Sequence, residues 1–280
     1  MTTLMMTSSA ITKGSARSTV AAIGVASLIV ATWSRDARAQ ASTAWASTPV
    51  RAAEAIPSSS GYRVAIGERA TYDVELRGRR VGKGSLEVAR SDSIDGRNTV
   101  LASLEVSGRL LFAKVDDRFE SWFDPQRFVS RRFIQDQREV GHTRKRHYEI
   151  APEQGTFVEA HGGRADSLAT SEPLDDVSFL FFVRSLPLRV GDVDTIPRYF
   201  KPGRDVIIRV VGKKTITVPA GTFETIVVQP TITNAGGLFG QGGNAEVYFT
   251  DDSARTLVML RSRVPVLGSL DLLLREIAPR

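Results

Sequence analysis

The chain has 280 residues, 42% of them hydrophobic and 24% charged, which is ordinary for a folded domain with a core of its own. It has no cysteine, which excludes disulfides, thiolate catalysis, Cys-ligated zinc and a lipidated N-terminal cysteine. The formal net charge of +6 is high enough to raise the question of an anionic partner.

The first forty residues answer part of that question. Lys13 and Arg17 form a positive region, Val20 to Thr32 is an uncharged, mostly apolar run, and Ala37-Arg38-Ala39 offers small residues at the two positions a signal peptidase reads. The pattern predicts a secretory signal over 1–39, cut between Ala39 and Gln40. The alternative, an uncleaved anchor, needs about 20 apolar residues and the run is shorter. Removing the signal takes away four basic residues and one acid, so 37 − 4 = 33 basic and 31 − 1 = 30 acidic residues leave a net of +3. That balance gives no case for nucleic acid. The expected location is a bacterial periplasm or cell envelope.

Residues 40–61 are rich in Ala, Ser, Thr and Pro and read as a disordered linker. From Tyr62 the period is two, and 62–280 reads as one β-rich domain. In ATYDVELRG, Tyr72, Val74 and Leu76 alternate with Asp73, Glu75 and Arg77. GRRVGKG reads as a break with a hairpin turn at Gly82 to Ser85, after which SLEVAR resumes the pattern. NTVLASLEVSG, DDRFESWFD, QRFVSRRFIQD and RKRHYEI follow. Beyond the central apolar stretch come RDVIIRVVG, KTITVPAGTFETIVVQP, NAEVYFTDD, RTLVMLRSRVP and GSLDLLLREI. Short connections between successive strands imply antiparallel pairing. The expected fold is mainly all-β: a strongly curved antiparallel sheet, open barrel or sandwich of about a dozen strands, with one short buried helix near 175–186.

That helix is read from EPLDDVSFLFFVRSLPLRVGD. Pro173 suits a helix entry, Asp175 or Asp176 caps the first turn, and Pro187 ends it. At about 15 Å it cannot cross a bilayer core of about 30 Å. Val177, Phe179, Leu180, Phe182, Val183 and Leu186 surround it almost entirely with apolar surface. Such a helix is either a core plug on a curved sheet or the lining of an apolar ligand cavity.

Other motifs are weaker. From Arg127 to Arg146 there are seven Lys or Arg against two carboxylates. This run is a solvated face or an anion-binding face, with Arg131, Arg144, Lys145 and Arg146 as candidates. The Gly-rich NAGGLFGQGGNAE loop puts Leu238 and Phe239 at its tip, as a peripheral membrane contact or as residues folded back on the core. His142, His147 and His161 have no metalloprotease spacing, and no nucleophile elbow occurs. The pairs Asp116–Asp117, Asp175–Asp176 and Asp251–Asp252 read as turn and cap residues. No catalytic residue, metal or cofactor is assigned.

Four segments carry a resemblance: Gly67 to Val88, Asp175 to Asp192, Thr217 to Pro230 and Val247 to Leu274. In their order and spacing they resemble the bacterial domain-of-unknown-function 3108 family of exported proteins. The resemblance implies export and a β-rich fold, and carries over no catalytic residue. The expected role is binding or carrying an apolar or amphipathic envelope molecule, such as a lipid. The alternatives are a structural or protein-interaction module and, third, a hydrolase. The oligomeric state is left open.

Overall fold

The structure is a computed structural model and describes residues 60–110, 113–139, 142–160, 162–233, 245–264 and 268–278. Eight strands come first: β1 (Arg69–Leu76), β2 (Arg79–Ile94), β3 (Arg97–Leu110), β4 (Ala113–Phe123), β5 (Ser130–Glu139), β6 (His142–Ala151), β7 (Thr156–Glu159) and β8 (Ala165–Ser167). One helix, α1 (Asp176–Ser185), follows. Six more strands complete the chain: β9 (Val193–Ile196), β10 (Val206–Val218), β11 (Gly221–Ile232), β12 (Glu246–Thr250), β13 (Leu257–Val264) and β14 (Gly268–Ile277).

All fourteen form one antiparallel sheet, in the order β8-β7-β6-β5-β4-β3-β2-β1-β14-β13-β12-β11-β10-β9. Two meanders are therefore stitched together where β1 pairs with β14, Val74 opposite Leu272. The sheet does not close, because β8 and β9 are its edges. Among the described residues no helix is long and apolar enough to cross a membrane.

The local chemistry explains most of the boundaries. Arg77 and Gly78 both take positive φ, 51° and 73°, as do Asp95 and Gly96 at 50° and 72°. Two such residues make the mirror-image turn whose twist suits a tight hairpin. The first turn is thus at Arg77-Gly78, and the expected break at Gly82 to Ser85 is corrected: those residues lie inside β2. Gly82 pairs directly with Gly108. A Cβ on Gly82 would come 2.3 Å from the Ser107 carbonyl oxygen, and one on Gly108 2.5 Å from that of Val81. These glycines serve a close approach of two strands. Asp116 and Asp117 also sit inside a strand, β4, rather than in a turn. RDVIIRVVG and KTITV are one strand, with the register shifting between Val210 and Gly212. The short strands β7, β8 and β9 lack enough alternation to be read from sequence.

The turn expected at Asp251–Asp252 is present, and another joins β10 to β11. Pro219 and Ala220 join β10 to β11, Val218 pairing with Gly221. In the β12–β13 turn Asp252 accepts from the amides of Ala254 (3.0 Å) and Arg255 (3.1 Å).

The helix fills the concave side. Its residues from Val177 to Ser185 are all buried, as is Leu186, which caps its C-terminus. Phe181 packs on Phe123 of β4 (5.5 Å between centroids), and Phe182 meets Phe128 edge-on (5.8 Å). Asp175 is the N-cap and is fully buried. Its carboxylate accepts from the amides of Val177 (2.8 Å) and Ser178 (2.9 Å) and from the hydroxyls of Ser121 (2.5 Å) and Ser130. The helix start is thereby fixed to the ends of β4 and β5. Arg184, buried in the last turn, pairs with Glu68 (2.6 Å), donates to the Ala254 carbonyl (3.1 Å) and lies 4.1 Å over the Tyr62 ring. It ties the helix to the segment before β1 and to the β12–β13 turn. The packed helix favours the core-plug alternative.

The edges β8 and β9 are joined through side chains instead of a strand ladder. Between β9 and β10 the chain crosses the interior, where Tyr199 forms an isolated bridge with Leu174. Phe200 then packs on Phe133, Tyr148 and Phe157, from β5, β6 and β7, at 5.2–6.3 Å. This aromatic contact holds the seam of the incomplete barrel.

Candidate functional site

The basic run is divided by strand geometry. Side chains alternate along β6, so Arg144 and Arg146 share the inner face with Tyr148 and Ile150, while Lys145, His147 and Glu149 point outward. Lys145 is exposed there. His147 Nε2 contacts Glu149 at 2.6 Å, with Arg132 at 2.8 Å from the same carboxylate oxygen. Arg131 is a correction to the anion-binding set. It is buried and holds Glu153 through two hydrogen bonds, 3.0 and 2.7 Å, from its two terminal nitrogens. Arg131, with burial opposing and Arg97 adding a smaller pull, holds the Glu153 carboxyl down to about 2. A guanidinium so engaged has its charge already answered. Leu238 and Phe239 lie outside the described residues. The six apolar helix positions are all buried in the main hydrophobic core.

The site that emerges is at the seam. A cleft of about 930 Å³ opens between the inner face of β6 and β7, the edge strand β8 and the segment Lys201–Arg204. Four cations line it, Arg146, Arg164, Lys201 and Arg204, against two carboxylates, Glu159 and Asp166. Its apolar wall is Tyr148 and Phe157. The volume is in the range of small-molecule sites.

Lys201 is the central group. Its Nζ donates to the Tyr148 hydroxyl (2.9 Å) and lies 4.2 Å from the Tyr148 ring centre. Arg146 donates to the same hydroxyl (3.2 Å) and stands 3.7 Å from Glu159. Burial pushes the Lys201 ammonium down to about 7, and the charges of Arg146 and Arg204 push the same way. Arg144 is lowered too, by burial and by Arg146. Burial raises Tyr148, so its phenol stays protonated at neutral pH. Behind the cleft wall Asp176 accepts from Tyr199 (3.0 Å) and Gln135 (3.3 Å), and burial raises its carboxyl.

Chemically this is a water-excluding wall next to several partly buried cations that repel one another, the arrangement an anion relieves. Among the described residues no group of His, Asp and Glu is placed to hold a metal ion. Of the candidates Arg131, Arg144, Lys145 and Arg146, only Arg146 lines this cleft, and the sequence reading did not include Lys201 and Arg204. The signal was present in Tyr199-Phe200-Lys201-Pro202-Gly203-Arg204, where two aromatics and two cations flank a Pro-Gly turn. It was hidden because a turn gives no hint of which distant strand it covers.

Among solved structures, one comparison agrees with this architecture. A β-barrel-like protein of the domain of unknown function DUF1849 from Brucella abortus matches with a TM-score of 0.50 at 9% identity, covering 76% of this chain and 97% of that one. A protein from Bacteroides fragilis described as exported, with a YmcC-like fold, gives a TM-score of 0.33 at 12% identity, covering 78% and 98%. At such identities the first likeness speaks to fold alone, and the second supports no argument. No curated protein sequence matches the chain. The family model described as protein of unknown function (DUF3108) matches residues 71–275, nearly the whole of the described sheet, and the chain belongs to that family.

Proposed function

We propose that this is an exported envelope protein that binds, without catalysis, the anionic headgroup of an amphipathic envelope molecule in the seam cleft. The observation that carries the reading is the cluster of Arg146, Lys201 and Arg204 against the Tyr148–Phe157 wall. Cations supply the charge complement and the aromatic wall takes the adjoining apolar part. Export rests on the signal pattern of residues 1–39, which lie outside the described residues. The apolar-carriage alternative is narrowed by the helix: the interior that would hold an acyl chain is occupied by Phe179, Phe181 and Phe182.

The test is titration of the protein with a short-chain phosphatidate kept below its micelle concentration, with a zwitterionic phospholipid of equal chain length as control. Binding of the phosphatidate alone, lost in Lys201→Met with Arg204→Gln, supports the reading. Equal binding of both lipids, or no effect of the double substitution, overturns it. A second reading, an enzyme that uses Lys201 as a base, draws on the near-neutral amine. Lys201→Arg separates the two, because it keeps a cation for binding and removes a titratable base.

A further inference from the structure

The outer face of the sheet is mostly neutralised pair by pair. Arg118 faces Glu105 and Glu120 (both 2.8 Å), Arg261 holds Asp271 (2.8 Å) and Arg275 holds Asp73 (2.7 Å). One end of the same face departs from that pattern. Where β2 begins, β3 ends and β4 begins, a shallow cleft of about 670 Å³ is lined by Arg80, Lys83, Arg109 and Lys114, with Asp116 the one carboxylate in its lining. Lys83, Arg109 and Lys114 are exposed, and among the described residues they form no ion pair. Arg80 is partly engaged, with Asp73 at 3.0 Å.

Two details show that this end is not a random scatter of surface charge. Arg109 is register partner to Lys114 across the β3–β4 ladder. Like charges directly opposite one another weaken a sheet, so the pair costs stability where it stands. Two of the lining positions, Gly82 and Gly108, contribute bare backbone, because their close approach leaves no room for a Cβ on either strand. Strand polarity adds a third point. Odd strands of the first meander finish, and even ones begin, at the end that carries this cleft. Glu159 at the finish of β7, Arg164 just before β8 and Lys201–Arg204 just before β10 belong to that same end. The two basic surfaces thus face one way.

We infer that this end of the sheet docks on an anionic lipid surface, which presents the seam cleft to the same leaflet. The inference rests on the export proposed above, since that is what brings a membrane within reach. It does not rest on occupancy of the seam cleft, since the docking cations are different residues. A bilayer is favoured over a soluble polyanion by the layout: three separate strand ends present charge side by side over a shallow floor, and no deep groove wraps a chain. Each Lys or Arg brought near an anionic leaflet contributes about fivefold to partitioning.

The experiment is co-sedimentation with vesicles of phosphatidylglycerol in phosphatidylcholine, and with phosphatidylcholine alone, at low salt and at about 0.5 M salt, where screening reaches within a few ångströms. The parent is expected to pellet with the anionic vesicles only, and to be released by salt. The variant Lys83→Gln, Arg109→Gln, Lys114→Gln is expected to bind roughly a hundredfold more weakly, with a melting temperature no lower than the parent's, since the opposed Arg109–Lys114 pair is relieved. Lys201→Met, whose cleft faces the same leaflet, is expected to lose no more than about fivefold in vesicle binding while losing phosphatidate binding, so that failure of the cleft reading and failure of docking appear in different assays. A parent that stays in the supernatant, a triple variant that pellets equally, or equal binding to neutral vesicles overturns the inference. So does tighter binding of inorganic polyphosphate with the same loss in the variant, which would assign the surface to a soluble polyanion.

Discussion

The two halves of the concave side bury polar groups in opposite ways. Around α1 each buried charge is met: Asp175 by four donors, Arg184 by Glu68 and a carbonyl. At the seam four cations stand against two carboxylates, and Lys201 sits among Arg146 and Arg204 with burial already against it. The first region gives each buried charge a counter-charge or donors, although Arg184 Nε and Nη1 find no hydrogen-bond partner there. The second keeps an arrangement that lowers stability, and such arrangements persist at sites where something binds. Substitutions should therefore act with opposite sign in the two regions.

The largest effect is expected at Phe182. It is 4% exposed, meets Phe128 edge-on and carries the Arg198 guanidinium 4.7 Å over its ring. Phe182→Ala should cost about 3–5 kcal/mol, from lost burial and the cavity left behind. Denaturant unfolding measures it, and a loss below about 1 kcal/mol would show that the helix is not the plug of the core.

Next comes Asp175. Asp175→Ala removes the helix cap and leaves two serine hydroxyls without their acceptor, for an expected loss of about 2–4 kcal/mol. The group also gives a pH signature. Burial lifts its carboxyl to about 6, with the hydrogen bonds from Ser121 and Ser130 opposing. A carboxyl with a higher pKa folded than unfolded favours the fold most below the unfolded value of 3.8. That advantage is lost as pH rises through about 6. Asp176, raised by burial, acts with the same sign. Asp175→Asn should flatten part of the stability slope between about pH 4 and 6. An unchanged slope in that variant would mean that the carboxylate stays ionised, held by its donors.

How far the sequence revealed these two regions follows from the range of the interactions. The helix was legible because its signals are local: Asp175 three residues before Ser178, a run of apolar side chains and Pro187 as a stop. Strand alternation was legible for the same reason, as in Tyr72, Val74 and Leu76 of β1. Gly82 to Ser85 misled because a glycine in a strand, required by the approach of Gly108, looks like a glycine in a turn. The seam was illegible because Lys201 and Tyr148 meet only when β9 and β10 reach the end of a sheet that starts with β8. Arg131 misled for a related reason, since Glu153 reaches it from beyond the next strand.

The smallest expected effect tests the second region most sharply. Lys201→Met replaces a buried ammonium with an apolar chain of similar length. It forfeits the hydrogen bond to Tyr148 and the ammonium's contacts with the Tyr148 and Phe200 rings, but removes a charge that burial disfavours most and that Arg146 and Arg204 repel. The protein should gain about 1 kcal/mol at neutral pH, in contrast to the losses around the helix. The sign of the pH dependence follows from the folded pKa of about 7 against an ordinary value of 10.5. The unfolded chain binds the extra proton between those values, so the parent gains stability as pH rises across that window and the gap to Lys201→Met narrows. Anion binding should run the other way. Below about pH 7 Lys201 is charged and contributes, and above it the amine is neutral unless the ligand supplies the energy to recharge it. Phosphatidate affinity should therefore fall by about tenfold, or 1.4 kcal/mol, between about pH 6 and 9 in the parent. In Lys201→Met it should be weak and nearly flat over the same range. A less stable Lys201→Met, or a parent whose affinity ignores pH, would make the seam an ordinary part of the core, and the contrast between the two regions would fail.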